Sequence, residues 1–122
     1  MGKAALVVDD DVTVRKVLCE ILTIDSNVVE KCEECENAKE AISILKNNPS
    51  IEVVVTDEKM PGMSGLELIE FIQSNFPEIS VILVSGYLSE QDKIRATNNP
   101  VVKKIFLKPF AVSEIADVVR EL

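Results

Sequence analysis

Four short apolar runs, each followed at once by polar residues, constrain this chain more than any other feature of its sequence. They occupy 4–8, 53–56, 81–84 and 105–107. Runs that are apolar throughout, rather than alternating, are typical of strands buried on both faces of a parallel sheet. The sequence therefore predicts an α/β domain in which such strands alternate with helices.

Helical spacing between the runs, and one polar extended stretch, complete the alternation. We expect the remaining elements in these places: a second strand near 28–32, and helices near 12–24, from Asn37 to Asn48, from Ser64, near 89–98 and through 115–122. Glu40 and Glu67, three residues after Asn37 and Ser64, indicate capping boxes. Near 89–98, Ile94 and Ala96 are the main candidates for burial.

Five strand–helix units in succession predict a three-layer α/β/α sandwich with a five-stranded parallel sheet and right-handed crossovers. The 122 residues are expected to form one domain, 1–122. The polar second strand suits a sheet edge. Helical periodicity that persists at Leu122 predicts that the natural polypeptide continues.

Charge and hydropathy exclude several classes of partner. A formal net charge of -8 argues against a nucleic-acid surface, which needs clustered Lys and Arg. No apolar run approaches the ~20 residues of a membrane span, and the start lacks the pattern of a signal peptide. We therefore expect a cytoplasmic protein that binds neither membrane nor nucleic acid directly.

The cysteines predict no disulfide and no metal site. Three are present, Cys19, Cys32 and Cys35, and an odd number argues against a disulfide framework. Cys32 and Cys35 have C-x-x-C spacing, but the surrounding glutamates disfavour a thiolate, and with no His present zinc lacks ligands. We interpret this pair as incidental thiols and Cys19 as a core residue.

The polar residues after the strands indicate a functional site. Asp9 and Asp10 follow the first strand, Asp57 the third, Ser85 the fourth and Lys108 the fifth. In open parallel sheets, ligands bind beyond the carboxyl ends of the strands. Converging carboxylates repel one another, raise at least one pKa and suit Mg2+, which prefers oxygen ligands. A lysine and a hydroxyl beside them suit a phosphoryl group.

Each feature alone has an ordinary structural explanation, since Asp9–Asp11 resembles a helix cap, and Asp57 and Ser85 precede turns. Together they match a family. In order and spacing, the chain resembles the receiver domain of two-component response regulators, including chemotaxis receivers, over four stretches: 6–10, 56–65, 84–86 and 106–110. The resemblance implies a flavodoxin-like strand order of 2-1-3-4-5.

The resemblance also implies roles for the acidic residues. Asp57 would be the phosphoacceptor, attacking a phosphohistidine of a sensor histidine kinase or phosphotransfer protein. Asp9 and Asp10 would hold Mg2+ or Mn2+, with Asp10 the more direct ligand. Asp57 and the backbone carbonyl of Lys59 would complete the protein ligands.

Further roles are implied beyond the metal. Ser85 would bond the phosphoryl group and shift on activation, and Lys108, before a cis Pro109, would pair with a phosphoryl oxygen. The output domain or partner would bind the face formed by the fourth helix, fifth strand and fifth helix. The chain would be a monomer or a phosphorylation-dependent dimer, and would catalyse only its own phosphorylation and dephosphorylation.

The chain departs from the family pattern at a switch position. Receivers usually carry an aromatic residue three positions before the lysine, where this chain has Ile105. Phe106 is adjacent, but neighbours in a strand face opposite sides, so we expect aliphatic repacking at Ile105 instead. Lys59 and Tyr87 would flank the path of attacking water and slow self-dephosphorylation.

Two alternatives stay open. Asp9–Thr13 also fits the D-x-D-x-T motif of haloacid-dehalogenase-like phosphatases, with Asp9 as nucleophile and Asp11 as general acid. That interpretation lacks a late acidic pair after Lys108 and leaves Asp57 unexplained. The other alternative is a phosphorylation-silent binding module that resembles a receiver.

Overall fold

A computed structural model describes residues 3–25 and 28–122, and within them five parallel strands alternate with five α-helices. The strands are β1 (Lys3–Val8), β2 (Val29–Cys35), β3 (Ile51–Asp57), β4 (Ser80–Ser85) and β5 (Val102–Leu107). The helices are α1 (Val12–Glu20), α2 (Ala38–Asn47), α3 (Gly65–Asn75), α4 (Glu90–Asn98) and α5 (Val112–Glu121). The strand order is β2-β1-β3-β4-β5, which confirms the predicted flavodoxin-like fold.

The core lies in two layers, one on each face of the sheet. Successive residues of a strand face opposite layers, so Leu6 and Val8 pack with α2 and α3, whereas Ala5 and Val7 pack with α1 and α5. The central strands β1, β3 and β4 therefore carry apolar side chains on both faces. This double burial explains why their sequences are apolar throughout.

The predicted N-terminal caps of α2 and α3 are formed, but the capping box of α2 differs from the prediction. Ser64 Oγ accepts a hydrogen bond from Glu67 N, and Glu67 Oε1 accepts one from Ser64 N, which completes the capping box of α3. Asn37 Oδ1 likewise accepts from Glu40 N at 2.8 Å. Glu40 Oε1, however, accepts from Glu36 N, the residue before the cap.

Two elements differ in length from the prediction. Helix α1 ends at Glu20, and a π-helical turn, Ile21–Asp25, follows it. Strand β2 extends to Cys35 because its backbone stays paired with β1, up to the pairing of Val8 with Cys35. Backbone bonding, rather than side-chain hydropathy, sets the end of an edge strand.

Helix α4 is held to the core by little apolar surface. Ala96 is buried, but Ile94 is 56% exposed, so the expectation of a buried Ile94 was wrong. The helix is oriented so that its smallest apolar side chain meets the core. No helix in the described part of the chain is long and apolar enough to span a membrane.

The expectation of no disulfide was wrong, because Cys19 and Cys32 form one. The prediction of Cys19 as a core residue is confirmed. Helix α1 packs on the face of the sheet to which Cys32 points, and both residues belong to the same apolar layer. Cys35 lies three residues further along β2, an odd number, so it faces the opposite layer and is a free, buried thiol. The two cysteines of the C-x-x-C pattern therefore face opposite sides of the sheet.

Candidate functional site

Backbone hydrogen bonds tie the carboxyl ends of the strands into one rim. Asp9 N donates to Cys35 O at 3.1 Å, Glu58 N to Val84 O at 3.1 Å, and Lys108 N to Ser85 O at 2.8 Å. The residues that immediately follow β1, β3 and β5 are thus held beside the end of a neighbouring strand. The predicted site residues meet at this rim.

Asp9, Asp10 and Asp57 form the acidic part of the site. Each offers one carboxylate oxygen, and these three oxygens lie within 4.8 Å of one another. Asp9 and Asp57 are only 3% and 8% exposed, whereas Asp10 is exposed. The pocket is therefore a buried carboxylate pair that opens to solvent beside a third carboxylate.

Each buried carboxylate has one oxygen bonded to the backbone. Asp9 Oδ1 accepts from Asp11 N at 2.8 Å, and Asp57 Oδ1 accepts from Glu58 N at 2.9 Å. The other oxygens face Lys108, whose Nζ lies 3.9 Å from Asp9 Oδ2 and 3.7 Å from Asp57 Oδ2. Lys108 thus reaches across the sheet from the edge strand β5 to the pocket, as predicted.

Burial dominates the electrostatics of the pair. It raises the pKa of Asp57, with a smaller contribution from the charge of Asp10, against the lowering effect of Lys108 and of the backbone N–H groups of Glu58 and Lys59. The pKa of Asp9 is raised first by burial and then by the charge of Asp57. The expected upward shift is confirmed, although desolvation rather than repulsion is its main cause.

The donor set fits a hard divalent cation. Three carboxylates converge, and Lys108 lies near two of them, Asp9 and Asp57, so negative charge exceeds positive charge in this cluster. Magnesium takes one or two carboxylates together with waters and phosphate oxygens, and the exposed side of Asp10 leaves room for them. Lys59 is exposed in the loop after β3, and the use of its carbonyl as a ligand stays a prediction.

Ser85 is buried at the end of β4 and is bonded locally. Its hydroxyl donates to Tyr87 O at 2.7 Å and accepts from Tyr87 N at 3.2 Å. Tyr87 itself is 69% exposed. A contact between Ser85 Oγ and a phosphoryl group would therefore replace its bond to the Tyr87 carbonyl.

The end of β5 agrees with the family resemblance at Pro109 and with strand alternation at Ile105 and Phe106. The Lys108–Pro109 peptide bond is cis. Ile105 packs against the layer that contains α4, whereas Phe106 is buried in the opposite layer with α5. Phe106 consequently lies on the wrong face to take the place of an aromatic residue at position 105.

Two residues at the site were not predicted. Arg15 Nη1 donates to Asp9 O at 2.7 Å, and Arg15 also pairs with Glu34 of β2. Arg15 lies in the first turns of α1, where the helix dipole disfavours a cation. This unfavourable position could have indicated from the sequence that Arg15 has an acceptor nearby. Glu58 Oε1 accepts from Leu66 N, and burial raises its pKa. No local pattern indicates that contact.

Comparisons with known proteins agree with this geometry. The family model for the response regulator receiver domain matches residues 5–120. The hydrogenase transcriptional regulatory protein HoxA of Cupriavidus necator is 31% identical over 95% of this chain, which spans 23% of HoxA. The sporulation initiation phosphotransferase F of Bacillus subtilis is 30% identical over 99% of this chain, which spans 94% of that protein.

A solved structure of a receiver complex is also similar to this chain. A chain of the CheX–CheY–BeF3–Mg2+ complex from Borrelia burgdorferi superposes with a TM-score of 0.85 at 26% identity, covering 98% of this chain and 87% of that one. The family match covers nearly the whole sequence, and the fold and the acidic rim agree with it. The chain therefore belongs to the receiver domains of two-component response regulators.

Proposed function

We propose that Asp57 accepts a phosphoryl group from a phosphohistidine of a sensor histidine kinase or a phosphotransfer protein. The observation that carries this proposal is the orientation of its carboxylate. Asp57 Oδ1 is held by the Glu58 N–H group, while Oδ2 faces Lys108 Nζ at 3.7 Å within the acidic cluster. One oxygen is thereby fixed and the other is presented to an incoming phosphorus atom.

The transfer balances without a separate base. Asp57 Oδ2 attacks phosphorus, the bond from phosphorus to the histidine nitrogen breaks, and that nitrogen leaves with the electron pair. Asp57 then carries a mixed carboxylic–phosphoric anhydride. Asp57 must be ionised to attack, and Lys108 favours that form.

Asp9, Asp10 and Asp57 would hold Mg2+ or Mn2+, joined by the carbonyl of Lys59. Bound there, the ion supplies positive charge that offsets both the carboxylates and the phosphoryl oxygens. Lys108 Nζ would pair with a further phosphoryl oxygen. The backbone bonds at Asp9 Oδ1 and Asp57 Oδ1 fix the two buried carboxylates before the donor arrives.

Phosphorylation would change the conformation of the domain through movements of Ser85 and α4. Ser85 Oγ would leave the Tyr87 carbonyl for a phosphoryl oxygen, and the 86–89 loop would follow it. Ile105 beneath that loop would repack, and α4 can shift at low cost because Ala96 is its buried side chain. This mechanism biases the face formed by α4, β5 and α5 toward an output domain or partner.

The family supports a proposal for the biological setting. As a receiver, the chain is a signalling domain, and we propose that it acts in the cytoplasm, as a monomer or a phosphorylation-dependent dimer, with no catalysis beyond its own phosphorylation and dephosphorylation. HoxA is much longer than this chain, whereas the Bacillus phosphotransferase has nearly its length. An attached output domain and a separate protein partner are thus both consistent with the family.

The phosphatase alternative conflicts with the position of Asp11. Asp11 Oδ1 accepts hydrogen bonds from Thr13 N at 2.9 Å and Val14 N at 3.3 Å, so it caps α1 instead of facing the pocket as a general acid. The silent-module alternative conflicts with the complete set of Asp9, Asp10, Asp57 and Lys108 at one rim. The receiver function accounts for both observations.

A labelling experiment tests the proposal. The protein is incubated with Mg2+ and acetyl phosphate, the acyl phosphate is reduced with borohydride, and the modified residue is mapped by peptide mass spectrometry. We expect one modification, on Asp57, that Asp57→Asn abolishes and Asp117→Asn, an exposed change on α5, leaves intact. Modification of Asp9 would support the phosphatase, and no modification would support the silent module.

A further inference from the structure

The disulfide between Cys19 and Cys32 connects α1 to the edge strand β2. The two Cα atoms lie 5.6 Å apart, which is a separation that a disulfide spans without movement of the backbone. Cys19 is 9% exposed, and Cys32 is half-buried. The structure therefore joins a buried cysteine of α1 to a half-buried cysteine of the edge strand.

We propose that Cys19 and Cys32 are a reversible redox modification site, a dithiol that low-molecular-weight disulfides such as glutathione disulfide oxidise to the bond between α1 and β2. The Cys32 thiolate attacks one sulfur of the small disulfide and expels the other as a thiolate. The Cys19 thiolate then attacks the Cys32 sulfur and expels the second small thiol. Two electrons pass from the protein to the small disulfide, and the two thiol protons end on the two released thiols.

The order of attack follows from exposure. Cys32 lies on an edge strand and is the more accessible of the two, so it makes the mixed disulfide. Cys19 is on the face of α1 that packs against the sheet and resolves that intermediate from inside. Cys35 takes no part, because it lies in the opposite layer and burial raises the pKa of its thiol to about 12.

The acidic surroundings of Cys32 are compensated by nearby cations. Glu33 pairs with Lys31 at 3.4 Å. Glu34 pairs with Arg15 and with Lys16, each at 3.3 Å. Two of the glutamates that disfavour a thiolate in the sequence, Glu33 and Glu34, are thus matched by positive charge in the fold, which weakens the electrostatic objection to exchange at Cys32.

The disulfide also strengthens the contact between α1 and β2, which adjoins the acidic rim at Asp9. The ion pairs of Glu34 join the same two elements as the disulfide, and Arg15 additionally donates to the carbonyl of Asp9. Closing a chain segment with a sequence separation of 13 restricts the unfolded state. Oxidation is therefore expected to raise Tm by roughly 10 °C relative to the dithiol form.

The test equilibrates the purified chain in buffers of graded reduced-to-oxidised glutathione ratio, without denaturant. Exchange is stopped with acid, free thiols are alkylated with N-ethylmaleimide in denaturant, and peptides are mapped by mass. We expect a reversible transition in which a Cys19–Cys32 linked peptide replaces the two alkylated peptides, while Cys35 stays alkylated throughout. Excess reduced glutathione should restore the dithiol in the folded protein.

Matched variants separate this bond from other thiol chemistry. C35S should show the same transition and the same rise in Tm as the parent. C32S should form no internal bond and show no rise in Tm on oxidation. The proposal would be overturned by a Cys32–Cys35 linked peptide, by glutathione retained on Cys32 at equilibrium, or by a bond that reduced glutathione cannot open. None of these readouts depends on Asp57.

Discussion

Gly65 lies against the carbonyl oxygen of Asp57 so closely that a Cβ on Gly65 would overlap that oxygen. Gly65 N also donates to Glu58 O at 2.9 Å. The first residue of α3 is thereby held against the residue that we propose as phosphoacceptor. The loop between them, 58–64, has its two ends fixed to each other, which holds the Asp57 backbone at the rim.

Gly65→Ala is expected to destabilise the protein by roughly 1–3 kcal/mol, because the overlapping atoms are backbone and cannot rotate away. Urea unfolding followed by circular dichroism measures the change. Gly86→Ala is the matched control, since a Cβ there meets nothing within 4 Å, and we expect it within about 0.5 kcal/mol of the parent. Equal stability of the two variants would show that the 57–65 contact is loose in solution.

The raised pKa values of Asp9 and Asp57 predict how metal-free stability depends on pH. A carboxyl whose pKa is raised in the folded state stabilises the fold fully below its usual value of 3.8. That contribution is lost as pH rises through the folded-state pKa. In EDTA, Asp57→Asn should therefore be more stable than the parent at neutral pH, and this advantage should disappear below pH 3.8.

Thermal unfolding of parent and variant over a pH series gives this difference directly. Asp117→Asn, which removes an exposed carboxylate from α5, controls for the change in net charge. Added Mg2+ should stabilise the parent at neutral pH and lose its effect as the carboxyls take up protons. A difference between parent and Asp57→Asn that grows toward acid pH would contradict the account.

Lys108→Met should tighten Mg2+ binding by about fivefold, near 1 kcal/mol. The substitution removes the cation that lies 3.7 and 3.9 Å from the two buried carboxylates, so their negative potential is no longer offset. Isothermal titration calorimetry measures the affinity. Lys104→Met, an exposed change of equal charge on β5, the strand that precedes Lys108, should leave it within twofold. Weaker binding in Lys108→Met would mean that the lysine does not face the metal site.

The side chains at 59 and 87 should lengthen the life of the phosphorylated state. Lys59 and Tyr87 follow Asp57 and Ser85 by two residues, and both are exposed beside the rim. Shortening both to Ala should let water reach the acyl phosphate and speed its loss by roughly threefold or more. Decay of phosphoprotein after removal of the donor, followed by mass spectrometry, measures the rate.

Tyr87→Phe keeps the ring and should decay like the parent. The Ser85 bonds use only the backbone of Tyr87, so neither substitution at 87 removes them. A double Ala variant that retains phosphate as long as the parent would show that these side chains give no shielding.

The central strands and the composition of the rim could be predicted because both follow from local sequence. Strands buried on two faces have continuous apolar sequences. Each is followed by a polar residue, and these residues lie at the same edge because the strands are parallel. Asp9, Asp57 and Lys108 were identified in this way, and the structure brings them together. The strand order came from the family resemblance.

Contacts between distant segments could not be predicted locally. The Cys19–Cys32 disulfide depends on the rotation of α1 over the sheet, and the bond from Arg15 to Asp9 depends on the same packing. The exposure of Ile94 depends on the orientation of α4, in which Ala96 is the buried residue. Each is decided by how an element docks, a property that its own periodicity does not contain.

A crystal structure with BeF3 and Mg2+ tests the central claim most directly. We predict beryllium bonded to Asp57 Oδ2, Mg2+ coordinated by Asp10 and Asp57, Lys108 Nζ on a fluorine, and Ser85 Oγ moved from the Tyr87 carbonyl to another fluorine. Beryllium on Asp9, or a Ser85 hydroxyl still bonded to Tyr87 O beside a fully occupied Asp57, would contradict the mechanism proposed for this receiver.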